Sequence, residues 1–310
     1  MHSSKSWRKN AAQNIVRAGW SAYSCEGGEE GVIVSMTMRL IKVEKFSNFS
    51  SLSSNSMTRN TFPSITSLHP PANTITSDNF VSIVGFGSLL SKNSALHTSP
   101  NLRNFSVVRV RGYRRVFAHT SPIFFSRNIA RKETREIASL SVEECEDASF
   151  IGCRFEIPME EYPALAMREA EFNFTAVVTR DVETNEVVGE EDVKSVCCVR
   201  GSDALYTSQY CKRVLFEGRE EDSSKCECVK CALKEFGEPM IWTDELIFPT
   251  RTYCRHCVLA ARGLGKAVED DFLDNTFLAD RKTRLREHLE RDPSILEELP
   301  PESLAVRYGG

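Results

Sequence analysis

Between Asp78 and Glu133 the chain contains no acidic residue. That absence matters because the segment holds an apolar run, Val81-Ser82-Ile83-Val84, broken by Gly85-Phe86-Gly87-Ser88-Leu89-Leu90. A dinucleotide fingerprint at this turn needs a third glycine, where Leu90 stands, and a carboxylate some twenty residues on to hold a ribose. No Gly-Lys-Ser/Thr ending follows, so a Walker-type phosphate loop is excluded as well. Ser88 lacks the Gly-x-Ser-x-Gly frame of a nucleophile elbow. A basic excess is missing too: 39 Lys and Arg face 43 Asp and Glu, for a net charge of −4, which argues against a nucleic-acid binder. No run of about 18 apolar residues is present to span a membrane, and no secretory apolar segment is convincing. The 11 cysteines are odd in number and read as reduced thiols, not a disulfide framework.

What is present points to a folded middle and a different beginning. Residues 1–79 are rich in Ser, Thr and Asn without sustained periodicity, and read as a disordered segment. Its composition is that of an organelle transit peptide of the chloroplast kind, with Met36 or Met38 as an alternative start; the competing reading is an untargeted tail. The expected location is therefore chloroplast or cytoplasm, intracellular and not secreted. Residues 80–200 form the core. Strands are expected at Val107 to His119, Ile137 to Val142, Phe150 to Ile157, Phe174 to Arg180 and Asn185 to Val199, with a helix over Met159 to Phe172. Residues 201–299 are assigned to a helical extension packed on that core, with helices from Pro249 onward, over Ala267 to Leu278 and over Lys282 to Glu290. An irregular tail is expected over 300–310. Strands first and helices later give an α+β fold with a mixed or barrel-like sheet and flanking helices.

The strand-to-turn junction at Gly85 brings backbone close to whatever sits beyond it, with amide N–H groups available to an anion. Phe86-Gly87-Ser88-Leu89 resembles the Tyr-Gly-Ser-Leu signature that ends the first strand of the gamma-glutamylcyclotransferase-like family. Leu165-Ala166-Met167-Arg168-Glu169-Ala170-Glu171-Phe172 is similar to the Arg-Glu segment carrying that family's catalytic glutamate. Val108 to Phe117 and Phe150 to Pro158 resemble its intervening strands, so the likeness spans about Phe80 to Arg180. The part beyond Val199 looks closer to an uncharacterised plant and algal branch. Phe86 departs from the family tyrosine, which removes one hydroxyl and puts substrate preference in question.

The resemblance implies an intramolecular aminolysis: the α-amine of a γ-glutamyl group attacks its own γ-carbonyl, releasing 5-oxoproline and an amine. Glu169 is the implied proton shuttle, and Gly85, Phe86, Gly87, Ser88, Leu89 and Leu90 the implied substrate-holding turn. Burial beneath that turn is expected to raise the Glu169 pKa toward neutrality. Glu171 is the local rival; on a continuous helix it would face elsewhere. No cofactor and no metal is called for, and the expected partner is a small anionic γ-glutamyl substrate, with no nucleic acid and no membrane. The sequence does not give the oligomeric state. The alternative is the same fold without activity, used for binding or regulation.

Two other patterns compete. Arg103, Arg109, Arg111, Arg114, Arg115, Arg127 and Arg131 fill the acid-free interval. They make either a positive wall for an anionic peptide or, preferred here, a strand face paired with Glu143 to Asp147. Cys226, Cys228 and Cys231, with Cys254 and Cys257 later, invite zinc, but the spacing is not that of a standard ribbon, and Cys254 and Cys257 fit an apolar helix face.

Overall fold

The computed structural model describes residues 69–169, 171–203, 241–242 and 247–309. Most of the expected disordered and transit segment lies outside them, as do Cys226, Cys228 and Cys231. Eight strands among these residues form one mixed sheet. β1 (Phe80–Gly85), buried along almost its whole length, lies between β3 (Glu136–Pro158), to which it is antiparallel, and β6 (Ser195–Val199), to which it is parallel. β2 (Arg103–Thr120) pairs with β3 and β5 (Thr179–Arg180), and β4 (Asn173–Val177) closes the far edge beside β6. Two short late strands, β7 (Phe248–Pro249) and β8 (Thr276–Leu278), add parallel pairings to β3 and β2. The result is a curled half-barrel with flanking helices, the expected α+β class.

β2 and β3 make one long hairpin, joined through α2 (Pro122–Ser126). Two separate strands were expected where β3 runs unbroken for 23 residues. The charged Glu143 to Asp147 stretch, which looks like a break, faces partly outward and pairs across to Tyr113 and Arg114. The bend is taken up on β2 instead. Gly112, at φ +81, lies at a register shift between Arg111 and Tyr113, where a bulged strand needs a residue free of a Cβ.

The arginine face is split by the same bulge. Arg114 pairs with Glu143 at 2.6 Å, as a solvated strand face should. Arg115 points the other way and is fully buried, donating to the Ile151 carbonyl at 3.0 Å and to Asp271 Oδ1 at 2.6 Å. Asp271 also accepts from the Ile151 N–H at 2.7 Å and from Asn275. A buried ion pair survives desolvation only with several such hydrogen bonds around it; of the guanidinium nitrogens, Nε alone is left without a partner. The pair ties the sheet to a helix 156 residues away.

The helices follow their capping and apolar patterns. α1 (Lys92–Thr98) is capped by Ser91, whose hydroxyl accepts from Ser94 N–H at 3.3 Å. α3 (Tyr162–Arg168) carries a proline in its first turn and follows a 3-10 turn over Met159–Glu161. It stops at Glu169, earlier than expected. α4 (Arg251–Gly263) buries Tyr253, Cys254, His256 and Cys257 against the sheet. α5 (Lys266–Asp274) presents Asp271 to Arg115. The expected helix over Ala267 to Leu278 therefore ends early, and its last residues pair as β8. α6 (Leu285–Arg291) follows. Only the end of the expected strand Asn185 to Val199 is one, as β6. The expected irregular tail is ordered: a 3-10 turn over Glu302–Leu304 leads into α7 (Ala305–Tyr308), with Leu304 and Tyr308 buried.

Candidate functional site

The turn that ends β1 is built by close packing. A Cβ on Gly85 would lie 2.7 Å from Cys153 Sγ and 2.8 Å from Leu89 Cβ, which leaves no room for any other residue. Cys153 donates to the Leu89 carbonyl at 3.2 Å and more weakly to the Gly85 carbonyl at 3.6 Å. Burial pushes its thiol up to about 12, so it acts as a structural clasp and not as a nucleophile. Phe86 is buried edge-on against Phe150, at 6.5 Å between centroids. The ring of this variant residue thus packs in the core. Ser88 to Leu90 turn as a single 3-10 step, Leu90 N–H donating to the Gly87 carbonyl at 3.0 Å.

α4 covers this turn. The Tyr253 hydroxyl would stand 3.0 Å from a Cβ on Gly87, with Leu140 and Cys257 close behind. His256, almost fully buried, approaches Ser94 Oγ at 3.3 Å through Nε2. Burial lowers its pKa to about 4, so the ring is neutral at physiological pH. Burial likewise lifts the Cys257 thiol to about 12. Cys254 and Cys257 are small core residues, fully buried.

A narrow cleft of about 40 Å³ opens beside the turn. Ser88 and Leu89 line one wall, Ser94, His97 and Thr98 of α1 another. Arg168, at the end of α3, and Arg307 and Tyr308 of α7 complete it. Arg168 also hydrogen-bonds Thr98 Oγ1 across the cleft. Of the residues singled out in the sequence, Ser88 and Leu89 line this cleft; Gly85, Phe86, Gly87 and Leu90 shape the turn behind it.

Glu169 is the C-cap of α3, its N–H donating to the Leu165 carbonyl at 2.9 Å. Its side chain is 19% exposed, and Oε1 is held 3.0 Å from Arg168 Nε. The glutamate is therefore linked to the cleft through its neighbour. Glu171 diverges because the helix has already ended: its Oε2 lies 2.7 Å from His119 Nε2. His119 stacks on Trp242, at 4.6 Å between centroids, and Trp242 Nε1 donates to the Glu171 carbonyl at 3.1 Å. The rival carboxylate is thus engaged in a separate aromatic cluster.

Sequence reasoning passed over Arg168 as a cleft residue, His256 and Tyr253 as the cover of the turn, and Arg307 and Tyr308 altogether. His256 was visible only as part of the Cys-Arg-His-Cys pattern. The spacing of Leu304 and Tyr308, four apart, was the one signal of a packed end.

A second cleft, of about 480 Å³, lies over the β2–β3 pairing. Its lining includes Arg103, Phe105, Arg154, Glu156, Gly189 and Glu190. Glu156 accepts from Arg103 at 2.9 Å, Asn104 at 2.8 Å and Arg154 at 2.7 Å. These bonds hold its carboxyl below the usual range against the upward pull of burial. Glu190 accepts from the Ser77 N–H and hydroxyl. Most charges of this cleft are paired within the protein, although Arg154 Nε is buried without a hydrogen-bond partner.

No helix among the described residues is long and apolar enough to cross a membrane. No family model matches the chain, and no curated protein does. Among solved structures it is similar to an uncharacterized protein from Homo sapiens, at 11% identity and a TM-score of 0.31 over 47% of this chain and 85% of that one. A gamma-glutamyl cyclotransferase is similar at 11% identity and a TM-score of 0.31, over 48% of this chain and 87% of that one. A protein from Arabidopsis thaliana is similar at 13% identity and a TM-score of 0.30, over 53% and 97%.

Proposed function

We propose that the chain is a γ-glutamyl cyclotransferase-like enzyme, with Glu169 as its acid and base and the Gly85–Leu90 turn as its anion holder. The observation that carries the reading is that Arg168, bonded to Glu169, lines one cleft with Ser88 and Leu89. This supports the reading because Arg168 links Glu169 to a cleft that the turn also lines, from segments about eighty residues apart in sequence.

The chemistry follows from the substrate itself. Glu169 takes a proton from the α-ammonium, and the freed amine forms a bond to the γ-carbonyl carbon. The carbonyl oxygen gains negative charge, which turn N–H groups stabilise. The C–N bond to the leaving amine then breaks as Glu169 returns the proton to that nitrogen, and the second proton of the attacking nitrogen passes to the released amine, which departs as an ammonium ion. Atoms balance with no co-reactant: one γ-glutamyl compound gives 5-oxoproline and one amine. Nucleophile and electrophile share a molecule, so proximity supplies much of the rate. Arg168 positions the carboxylate by fixing one oxygen.

The test is 5-oxoproline release from a panel of γ-glutamyl amino acids, peptides and amines. Release that disappears in Glu169→Gln supports the assignment; a panel with no release by the native protein overturns it. A second reading, the same fold used for binding without turnover, is favoured by one observation: a cleft of about 40 Å³ does not admit such a substrate as it stands.

A further inference from the structure

The small cleft owes its size to one segment. Val306, Arg307 and Tyr308 form its outer wall, over the turn residues Ser88 and Leu89. A volume of about 40 Å³ holds little more than a water or two, whereas small-molecule sites measure roughly 300–1,000 Å³. The turn is therefore shut off from anything the size of a γ-glutamyl group.

The attachment of this segment is slight. Tyr308 packs edge-on against Tyr253 and His256, at 6.1 and 5.6 Å between centroids. Leu304 is its other buried side chain, and Arg255 Nη1 donates to the Gly309 carbonyl at 3.2 Å. No β-ladder holds it. Val306 is 88% exposed, and the approach through Leu299, itself 73% exposed, runs into Pro300 and Pro301. An element with few buried contacts opens at a small fraction of the global unfolding free energy.

Charge works in the same direction. Arg307 has no ion-pair partner among the described residues, and it shares the cleft with Arg168. Arg168 is already paired with Glu169, so Arg307 is the uncompensated charge of the closed cleft, and a bound carboxylate would offset it.

We infer that residues 302–309 are a lid, with Tyr308 as its plug: the lid swings outward to admit a small carboxylate-bearing substrate to the turn. The inference rests on the proposed function for its substrate but not for its motion, and the two are tested separately. Hydrogen exchange of the Ser88 and Leu89 amides, followed by mass spectrometry, reads the motion without any turnover. Compared with the native chain, a chain ending at Pro301 and the full-length Tyr308→Ala variant should each exchange at these amides at least tenfold faster. Exchange in β1 should stay unchanged, which shows that the sheet is intact. If the truncated chain does not fold, Tyr308→Ala carries the comparison alone. Unchanged exchange at Ser88 and Leu89 in a folded variant overturns the lid. Turnover gives the second arm. Faster exchange together with a several-fold lower KM for a γ-glutamyl peptide supports both lid and function. Faster exchange with no 5-oxoproline from any form keeps the lid and removes the function.

Discussion

The two clefts are opposite in kind. Over the β2–β3 pairing lies the larger one, rich in charge, where Glu156 is bonded to both Arg103 and Arg154. Beside the turn that ends β1 lies a space of about a twelfth the volume, lined by Ser88, Leu89 and Arg168, the last bonded to Glu169. Size favours the first and chemistry the second. Polar groups bonded to each other have less left for a ligand, while the cleft at Ser88 and Leu89 holds Arg307, which has no ion-pair partner among the described residues.

The sharpest way to break this comparison is a pair of glutamate substitutions. Glu169→Gln should lower 5-oxoproline formation by about 10²–10⁴-fold, the usual contribution of a positioned acid/base, with the melting temperature nearly unchanged. Glu156→Ala should do the reverse. It leaves Arg154 buried without its carboxylate, at a cost of about 3 kcal/mol in urea denaturation, while the folded fraction keeps its turnover. If Glu156→Ala abolished turnover in folded protein, the roles of the two clefts would have to be exchanged.

A smaller effect comes from pH. The buried His256 titrates at about 4 when folded, below the usual value near 6.5 for an exposed ring. The unfolded chain therefore binds more protons in the window between, and stability is full above that upper value and falls as the medium is acidified toward the lower one. His288 is pushed down by burial as well and adds in the same sense. Between pH 7.5 and 5 the loss assigned to His256 is about 2 kcal/mol. His256→Gln should flatten the pH dependence of the denaturation midpoint by that amount; an unchanged slope would show that the ring is not held neutral.

Of comparable size is the steric test of the turn. Gly85→Ala places a methyl group 2.7 Å from Cys153 Sγ, and overpacking of this kind costs about 1–3 kcal/mol. Adding Cys153→Ala should recover part of that loss, because Leu89 remains close. No recovery would mean that the strain lies wholly with Leu89.

Much of the sheet and of the turn could be read from residue order, because both are local signals. Val81 to Val84 is apolar on both faces, as a central strand must be, and the glycines that follow mark the junction. Glu169 was found through a resemblance, since periodicity alone gives no reason to separate it from Glu171. The helix terminus between them does so, and a terminus is among the least legible features of a sequence. Arg115 read as one more polar residue of a strand face; nothing near it in sequence announces Asp271. α7 was missed because four residues are too few to show a period. Prolines before it suggested irregular chain, although burial of Leu304 and Tyr308 holds it in place.

The bond between Arg115 and Asp271 also bears on how the protein is made. A ribosome delivers Arg115 long before Asp271, so the emerging hairpin carries a guanidinium with no carboxylate to meet it. That charge stays in water, and the sheet stays unsealed, until α5 leaves the exit tunnel. Completion of the core is thereby deferred until α5 has been made, and a product cut short upstream of α5 would carry that guanidinium without its carboxylate.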